Sequence, residues 1–393
     1  MIRHLFTLMW NRKRANSLLV LEIVLAFVVL FAVGSVGMYL LANYRAPLGF
    51  DYAHVWNIQC DPGAQPPREQ FATWQQVVRQ VRATPGVLSA ACNSGNTPFS
   101  TNMNSTNVVL NKGKDQRECP QADYSNVGPE LREVMGLKLT EGRWFDHRDE
   151  ASTHRPVVIT ESLRDVLFRP GEPVIGRVLD TPENTQIVGV ISAYRTDVQE
   201  PRPGILTYVS PQDTTAALNT LLVRVQPGAG AVLEKKISSQ IRAISPTWRS
   251  TITPLTEERH LQLKQTLALP VIEAIVCLFL LVNVALGLFG VLWLNINQRR
   301  AELGVRRALG ATAGAISGQV LGEILVLTTF GLILGLLVAA QFPLLSVFNV
   351  KTGVYLAGMA LATVGLYLLA TVCALYPSRL AAAIQPAVAL REE

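Results

Sequence analysis

Residues 298–311 read QRRAELGVRRALGA and separate two long apolar runs. This segment carries four arginines against one glutamate, whereas residues 267–296 and 312–340 on either side contain one charged residue each. Similar runs occupy residues 17–42, with one charge, and 353–376, with none. Each run exceeds the roughly 20 apolar residues that cross a hydrocarbon core. The sequence therefore predicts four membrane-spanning helices, with a cationic link between the second and the third.

The basic residues indicate the orientation of these helices. Residues 1–16 carry four Lys or Arg and no acid, whereas residues 45–264 carry 24 basic and 23 acidic residues that nearly cancel. Because Lys and Arg collect on the cytoplasmic side of spans, we expect both termini and the link to lie inside. The net charge of +6 is therefore attributed to contact with membrane surfaces and not to binding of nucleic acid. The first run exceeds the 7–15 residues of a signal-peptide core, so we expect a retained anchor.

This topology divides the chain into nine segments. They are a cytoplasmic amino-terminal segment (1–16), the first span (17–43), an external domain (44–266), the second span (267–297), the link (298–311), the third span (312–340), an external loop (341–352), the fourth span (353–376) and a cytoplasmic tail (377–393).

The external domain is long enough for a hydrophobic core of its own. Apolar residues at helical spacing predict a helix over residues 68–84, and strand-like runs precede and follow it. A second strand–helix–strand pattern occupies residues 220–254. Between them, residues 143–210 hold short β-rich pieces at 157–160, 174–178, 187–190 and 205–209. The predicted fold class is an α-helical membrane protein with four spans, in a one-plus-three order, and a large mixed α/β external domain with a β-rich insertion.

Few residues suggest a disulfide, a metal site or a catalytic site. Three external cysteines allow at most one internal disulfide, and the sequence does not choose among Cys60, Cys92 and Cys119. The stretch 146–150 with His154 contains acids and histidines, but interspersed arginines favour a solvated loop over a metal site. Neither His-Glu-x-x-His nor G-x-x-x-x-G-K-[ST] occurs. We therefore expect a non-catalytic chain without metal or directly bound cofactor.

The link itself reads as a short amphipathic helix. Glu302 and Arg306 lie four residues apart, which supports a helix, and Gly310 is well placed to end it. Leu303 and Leu309 are expected to form an apolar side. The segment resembles the R-R-x-E-[IL]-G-[IV]-R-R-A-L-G-A motif of the FtsX-like permease domain, which is found in MacB-type exporters and lipoprotein-releasing permeases.

The resemblance extends beyond the link. It continues through Gln319 and Glu323 into the third span, and the tail PSRLAAAIQPAVALR (377–391) is similar to the family ending P-x-x-x-A-x-x-x-x-P-x-x-A-L-R. Residues 10–14, WNRKR, are also similar to the family's segment before the first span. The external sequence matches only in general outline.

The resemblance implies a role for the link and a set of partners. The link would be a coupling helix that docks on a cytoplasmic ABC ATPase subunit, which holds ATP and Mg²⁺. The coupling residues would be Arg299, Arg300, Glu302, Leu303, Arg306, Arg307, Leu309 and Gly310. The family also implies a second permease copy or sister permease, membrane lipid and a periplasmic adaptor as partners, in the bacterial inner membrane.

The resemblance leaves two functions open. In the first, ATP hydrolysis moves the external domain by mechanotransmission, for export of a drug, peptide or lipoprotein-like substrate. In the second, an FtsX-type regulatory permease activates a cell-wall hydrolase. The external domain of about 220 residues favours the exporter-like branch.

Overall fold

A computed structural model describes residues 13–382 except 64, 101–102, 112, 114, 182–183, 198–201 and 210–218. These residues form two compact units, one of residues 43–266 and one of the residues on either side. Most of the predicted amino-terminal segment (1–12) and most of the tail motif (383–391) lie outside the described residues.

Helices and strands alternate in the order that follows. The helices are α1 Lys13–Arg45, α2 Pro67–Arg82, α3 Leu131–Met135, α4 Glu161–Leu167, α5 Ala231–Ile244, α6 Leu255–Gln298, α7 Arg300–Ala308, α8 Ala313–Ala339, α9 Gln341–Leu344 and α10 Thr352–Ala382. The strands are β1 Val55–Asp61, β2 Val87–Gly95, β3 Ser105–Leu110, β4 Arg117–Val127, β5 Leu139–Gly142, β6 Arg155–Thr160, β7 Val178–Leu179, β8 Thr185–Ile191, β9 Gly204–Tyr208, β10 Thr220–Val225 and β11 Arg249–Pro254.

The strands of residues 43–266 form one mixed sheet. Their order is β11-β1-β10-β2-β4-β9-β6-β8-β5, with β3 paired to β4 and β7 paired to β8 off this path. The β4–β9 and β6–β8 pairs are parallel and the others antiparallel. Because successive side chains of a strand point to opposite faces, β10 serves two cores. Leu221 and Val223 pack under α2 and α5, and Leu222 lies in the core that contains α3.

The β-rich middle of the domain is not a separate sheet. Strand β9 pairs in parallel with β4, so strands β5 to β9 continue the sheet begun by β1 and β2. The predicted strand at 174–178 is wrong, since only Val178–Leu179 is extended and paired. Pro173 has no amide hydrogen to donate to a ladder, and Gly176 has a left-handed φ of +84°. Helix α4, whose first turn is capped by the Thr160 hydroxyl, is not predicted by the sequence pattern.

Four helices of the described chain are long and apolar enough to cross a membrane. They are Leu19–Arg45, Leu255–Gln298, Ala313–Leu344 and Thr352–Ala381. Together with the mixed α/β sheet they confirm the predicted fold class. Helix α6 has 44 residues and continues through Pro270. At 1.5 Å per residue it is about 66 Å long, roughly twice the hydrocarbon core. The predicted external loop at 341–352 contains the short helix α9 and a 3₁₀ turn.

Two glycines of α8 allow α1 to approach that helix closely. A Cβ built on Gly331 would lie 2.5 Å from Cγ2 of Ile23, and one built on Gly335 would lie 2.5 Å from Cδ1 of Phe27. Both glycines belong to α8 and are four residues apart, as are the two side chains of α1. This is the small-xxx-small spacing that lets membrane helices pack backbone to side chain.

Candidate coupling helix between the second and third spans

The segment between α6 and α8 folds into the nine-residue helix α7. Its last turn is a Schellman motif, in which the amide of Gly310 donates to the Arg307 carbonyl (3.1 Å) and that of Ala311 to the Arg306 carbonyl (3.0 Å). Gly310 has φ +98°, which costs glycine nothing. The Thr312 hydroxyl accepts the amide of Ala315 and begins α8. Helix α7 therefore ends at Ala308, and the left-handed Gly310 terminates it, as the sequence predicts.

One side of α7 is buried against the spans. Leu303 is 3% exposed, and Gly304 beside it is also buried. Leu303 belongs to a cluster with apolar side chains from α6, α8 and α10, namely Leu292, Ile296, Ile316, Val320, Ile324, Ala370, Ala374 and Ala381. Leu303 therefore fixes α7 to the ends of these three helices.

A closed ring of hydrogen bonds ties α7 and its first flanking residue to α8. Arg299 pairs with Glu302 (Nε–Oε2 3.1 Å) and with Glu323 (Nη1–Oε2 3.0 Å). Arg306 pairs with Glu302 (Nη2–Oε1 2.7 Å) and donates to Oε1 of Gln319 (2.7 Å). The Gln319 amide donates to Glu323 at 3.1 Å and completes the ring.

The ring is partly shielded from solvent. The side chain of Arg299 is 13% exposed and that of Glu323 is 28% exposed. The hydrogen bond to Glu302, with Glu323 adding to it, raises the pKa of the Arg299 guanidinium above its ordinary value. Arg299 is therefore charged at every physiological pH, and charge-assisted bonds of this kind are stronger than neutral ones.

The opposite side of α7 presents small and apolar side chains. Ala301, Val305, Ala308 and Leu309 are exposed, with Val305 42% and Leu309 83% exposed. Their spacing of i, i+4, i+7 and i+8 places them on one face of a helix. We call these four residues the exposed stripe. The Glu302–Arg306 ion pair borders it on one side.

The structure places the predicted coupling residues in different surroundings. Arg299, Glu302 and Arg306 belong to the ring, Arg300 is exposed and Arg307 is half-buried. The expectation that Leu303 and Leu309 share an apolar side is wrong. Six residues turn a helix by about 600°, so the two side chains point in different directions. Leu303 packs inward, and Leu309 lies on the exposed stripe.

Several residues of this site do not follow from the cationic motif alone. Ala301, Val305 and Ala308 were not singled out, although their spacing with Leu309 is readable in the sequence. Gln319 and Glu323 were noted only as part of the family resemblance. Their role in the ring depends on how α7 and α8 pack, which spacing within one segment does not show.

No disulfide joins the external cysteines, because all cysteines among the described residues are free. Strand β10 lies between β1, which carries Cys60, and β2, which carries Cys92. Two strand spacings amount to about 9–10 Å, beyond the roughly 7 Å that a disulfide tolerates between Cα atoms. Cys119 lies in a different core cluster. Burial raises the pKa of Cys60 to about 12 and that of Cys92 to about 11.

Two protein families match the sequence. Residues 17–244 match the MacB-like periplasmic core domain, and residues 274–386 match the FtsX-like permease C-terminal region. The first match alone covers more than half of the chain.

Similar curated proteins carry the name macrolide export ATP-binding/permease protein MacB. The MacB 1/2 protein of Paracoccus denitrificans (strain Pd 1222) is 30% identical over 261 residues, covering 61% of this chain and 36% of the relative. The protein of Neisseria meningitidis serogroup A / serotype 4A (strain DSM 15465 / Z2491) is 25% identical over 236 residues, covering 58% and 36%. The matched region is thus about a third of the length of these relatives.

Two solved structures are also similar. The periplasmic region of MacB from Actinobacillus actinomycetemcomitans has 16% identity and a TM-score of 0.39, covering 57% of this chain and 97% of that chain. The extracellular domain of the noncanonic ABC-type transporter YknZ from Gram-positive bacteria has 13% identity and a TM-score of 0.36, covering 50% and 99%.

Proposed function

The chain belongs to the family of the MacB-like periplasmic core domain with an FtsX-like permease C-terminal region, and from this premise we propose that it is the permease component of an ABC exporter. Its 393 residues contain no G-x-x-x-x-G-K-[ST] phosphate-binding loop, so ATP binds outside them, on a cytoplasmic ABC ATPase. The chain converts hydrolysis by that ATPase into movement of the α/β unit. Its cargo is a drug, a peptide or a lipoprotein-like molecule on the outer side of the inner membrane.

The exposed stripe on α7 carries this proposal. The helix lies between two spans and is held by the ring and by Leu303, so its position is fixed by α6 and α8. Its free face is apolar, and Leu309 alone leaves most of a leucine side chain in water. An apolar face of this size on an otherwise cationic segment is suited to a groove in a partner protein. We assign that groove to the ATPase.

Helix α6 supports the second half of the proposal. It begins directly after β11 of the α/β unit, passes through the second span, and ends two residues before α7 begins. A displacement of α7 therefore acts on a helix that is continuous with the α/β unit along the chain. In this mechanism the external domain moves, and the substrate need not pass between the spans.

Further partners follow from the family and from exposed apolar surface. Leu269, Ile272, Ile275, Val276 and Phe279 on α6 are all more than half exposed in the single chain. Lipid and a second permease copy or sister permease cover them in the assembled transporter. A periplasmic adaptor would contact the α/β unit.

The experiment uses one substitution and one matched control. Leu309→Asp places a carboxylate on the exposed stripe, and Val232→Asp places one at a residue of α5 with nearly the same exposure, 83% against 87%. Burying an unpaired carboxylate in a protein contact costs several kcal/mol, about 10²-fold or more in affinity. We expect the Leu309 variant to insert normally and to lose the ATPase that co-purifies with the wild-type chain. The Val232 variant should retain it, and equal retention by both variants would refute the assignment of the stripe.

A further inference from the structure

A cavity of about 540 Å³ opens in the α/β unit beside the turn that follows β5. Its apolar wall consists of Trp144, Phe145 and Tyr208, none of which is more than 8% exposed. The ring centroids are 4.8 Å apart for Trp144 and Phe145, and 5.5 Å apart for Phe145 and Tyr208. The three rings thus form one aromatic wall, and the volume is that of a small-molecule site.

Carboxylates line the rest of the cavity and outnumber the single lining cation, Arg132. They belong to Glu130, Glu133, Asp146 and Glu150. Glu130 forms an ion pair with Arg82 at 2.7 Å. Glu133 is exposed and has no ion pair with any residue that the structure describes. Asp146 is also paired, with Arg148 at 2.6 Å. The lining carboxylate that offers its charge to a ligand is therefore that of Glu133, and an anion would be repelled there.

The wall and the rim are held in place before any ligand binds. The Trp144 indole N–H donates to the Pro129 carbonyl at 2.6 Å. Arg143 makes two bonds to the buried Asp149 carboxylate, at 2.6 and 2.7 Å. Asp146 and Asp149 form a reciprocal cap of the 3₁₀ turn that carries the acidic rim. A preformed site loses less free energy on binding than one that must be ordered.

Tyr208 supports a ligand site in this cavity independently of the carboxylates. It is 4% exposed and lines the cavity, yet its hydroxyl has no hydrogen-bond partner within the described part of the chain. Burial, together with nearby carboxylates such as Glu150, raises its pKa to about 12, so the hydroxyl keeps its proton and can donate. The hydroxyl thus faces the cavity with a free donor, which an acceptor atom of a ligand would receive in place of solvent.

We propose that this cavity binds an organic cation with an aromatic or apolar body. The cationic nitrogen lies among the carboxylates at Glu133, and the body lies on the aromatic wall, where cation–π attraction adds to apolar burial. An acceptor atom of the ligand receives the Tyr208 hydroxyl. An anion is disfavoured by the Glu133 carboxylate, and a purely apolar ligand would make no use of that charge. That such a cation is also the exported substrate rests on the proposed function, whereas its binding does not.

The test measures binding of ethidium to the full chain in nanodiscs of zwitterionic lipid, without ATPase or ATP. Fluorescence of the probe reports the bound fraction, and empty nanodiscs give the background. Glu133→Gln removes one rim charge and Glu133→Lys reverses it. Glu234→Lys changes the net charge by the same amount as Glu133→Lys. Glu234 is an exposed glutamate of α5 that does not line the cavity. Both positions changed are at the surface, so folding is retained.

We expect Glu133→Gln to weaken ethidium binding about three- to tenfold and Glu133→Lys more than tenfold, with Glu234→Lys within about twofold of wild type. The anionic dye anilinonaphthalene sulfonate should show no dependence on Glu133. Binding no stronger than to empty nanodiscs, or equal loss at Glu133 and Glu234, overturns the proposal. Because no ATPase is present, loss of coupling through α7 cannot produce either result.

Discussion

The close approach of α1 to α8 makes a sharp prediction for Gly335. A Cβ there would lie 2.5 Å from Cδ1, 2.9 Å from Cγ and 3.2 Å from Cβ of Phe27. Carbon atoms in contact prefer about 3.5–4.0 Å, so Gly335→Ala requires a shift of about 1 Å. Phe27 is fully buried and has little freedom to move away.

Gly322 provides the control for this substitution. It lies on the same helix, and a Cβ built there meets nothing within 4 Å. Alanine favours a helix over glycine by about 0.8–1 kcal/mol at both positions, so that contribution cancels in the comparison. What remains is the cost of overpacking, about 1–3 kcal/mol. We expect Gly335→Ala to be less stable than Gly322→Ala by this amount.

The assay is reversible unfolding of the purified chain in mixed micelles with an increasing fraction of SDS, followed by tryptophan fluorescence. Combining Gly335→Ala with Phe27→Leu should recover part of the loss, with a coupling free energy of about 0.5 kcal/mol or more between the two positions. Equal unfolding midpoints for the Gly335 and Gly322 variants would show that α1 does not pack on α8 as described.

The protonated thiols of Cys60, which is buried, and Cys92, which is partly buried, should resist a thiol reagent at pH 8 in the folded protein and react after unfolding; fast labelling of the folded chain would contradict the raised pKa of these thiols. Leu303→Ala should lower the free energy of unfolding by about 2–5 kcal/mol in the SDS assay, and a change below about 0.5 kcal/mol would place this leucine outside the core. In intact cells an impermeant maleimide should label Ser105→Cys from outside, and Ala308→Cys only after permeabilisation. The reverse pattern would refute the proposed orientation.

The spans were predictable because a membrane imposes a simple rule on the sequence. Residues 353–376 contain no charged residue, and a helix of that length in a soluble protein would not need to lack charged residues. Helix α2 was predicted at 68–84 and runs from Pro67 to Arg82, since its apolar residues repeat at helical spacing within a polar segment. Local periodicity was sufficient in both cases.

Pairing between distant segments was not predictable in the same way. Nothing in the sequence of β4 indicates that β9, some 80 residues later, lies beside it in parallel. The sequence therefore predicts the β-rich insertion but not that its strands extend the main sheet through the β4–β9 pair. Helix α4 was missed because seven residues hold too few turns for periodicity to show.

The features of the candidate site divide in the same way, into those that local sequence predicts and those that depend on packing between distant segments. The termination of α7 by Gly310 follows from one residue type and its neighbours. The inward direction of Leu303 depends on where α6 and α10 lie, which one segment cannot reveal. The ring likewise joins residues on two helices. The Glu302–Arg306 pair was predicted from its spacing, whereas the Arg299–Glu323 and Arg306–Gln319 bonds between the helices were not.

The ring has a mechanical consequence for α7. It crosses to α8 at two places, Arg299 to Glu323 and Arg306 to Gln319, and these anchor points lie seven residues, or nearly two turns, apart along α7. One such anchor would leave α7 free to swivel about it, whereas two define a line and remove that degree of freedom. A force applied at Leu309 therefore tilts α7 and the beginning of α8 together, as one rigid body. Rolling α7 about its own axis would require both anchors to break at once.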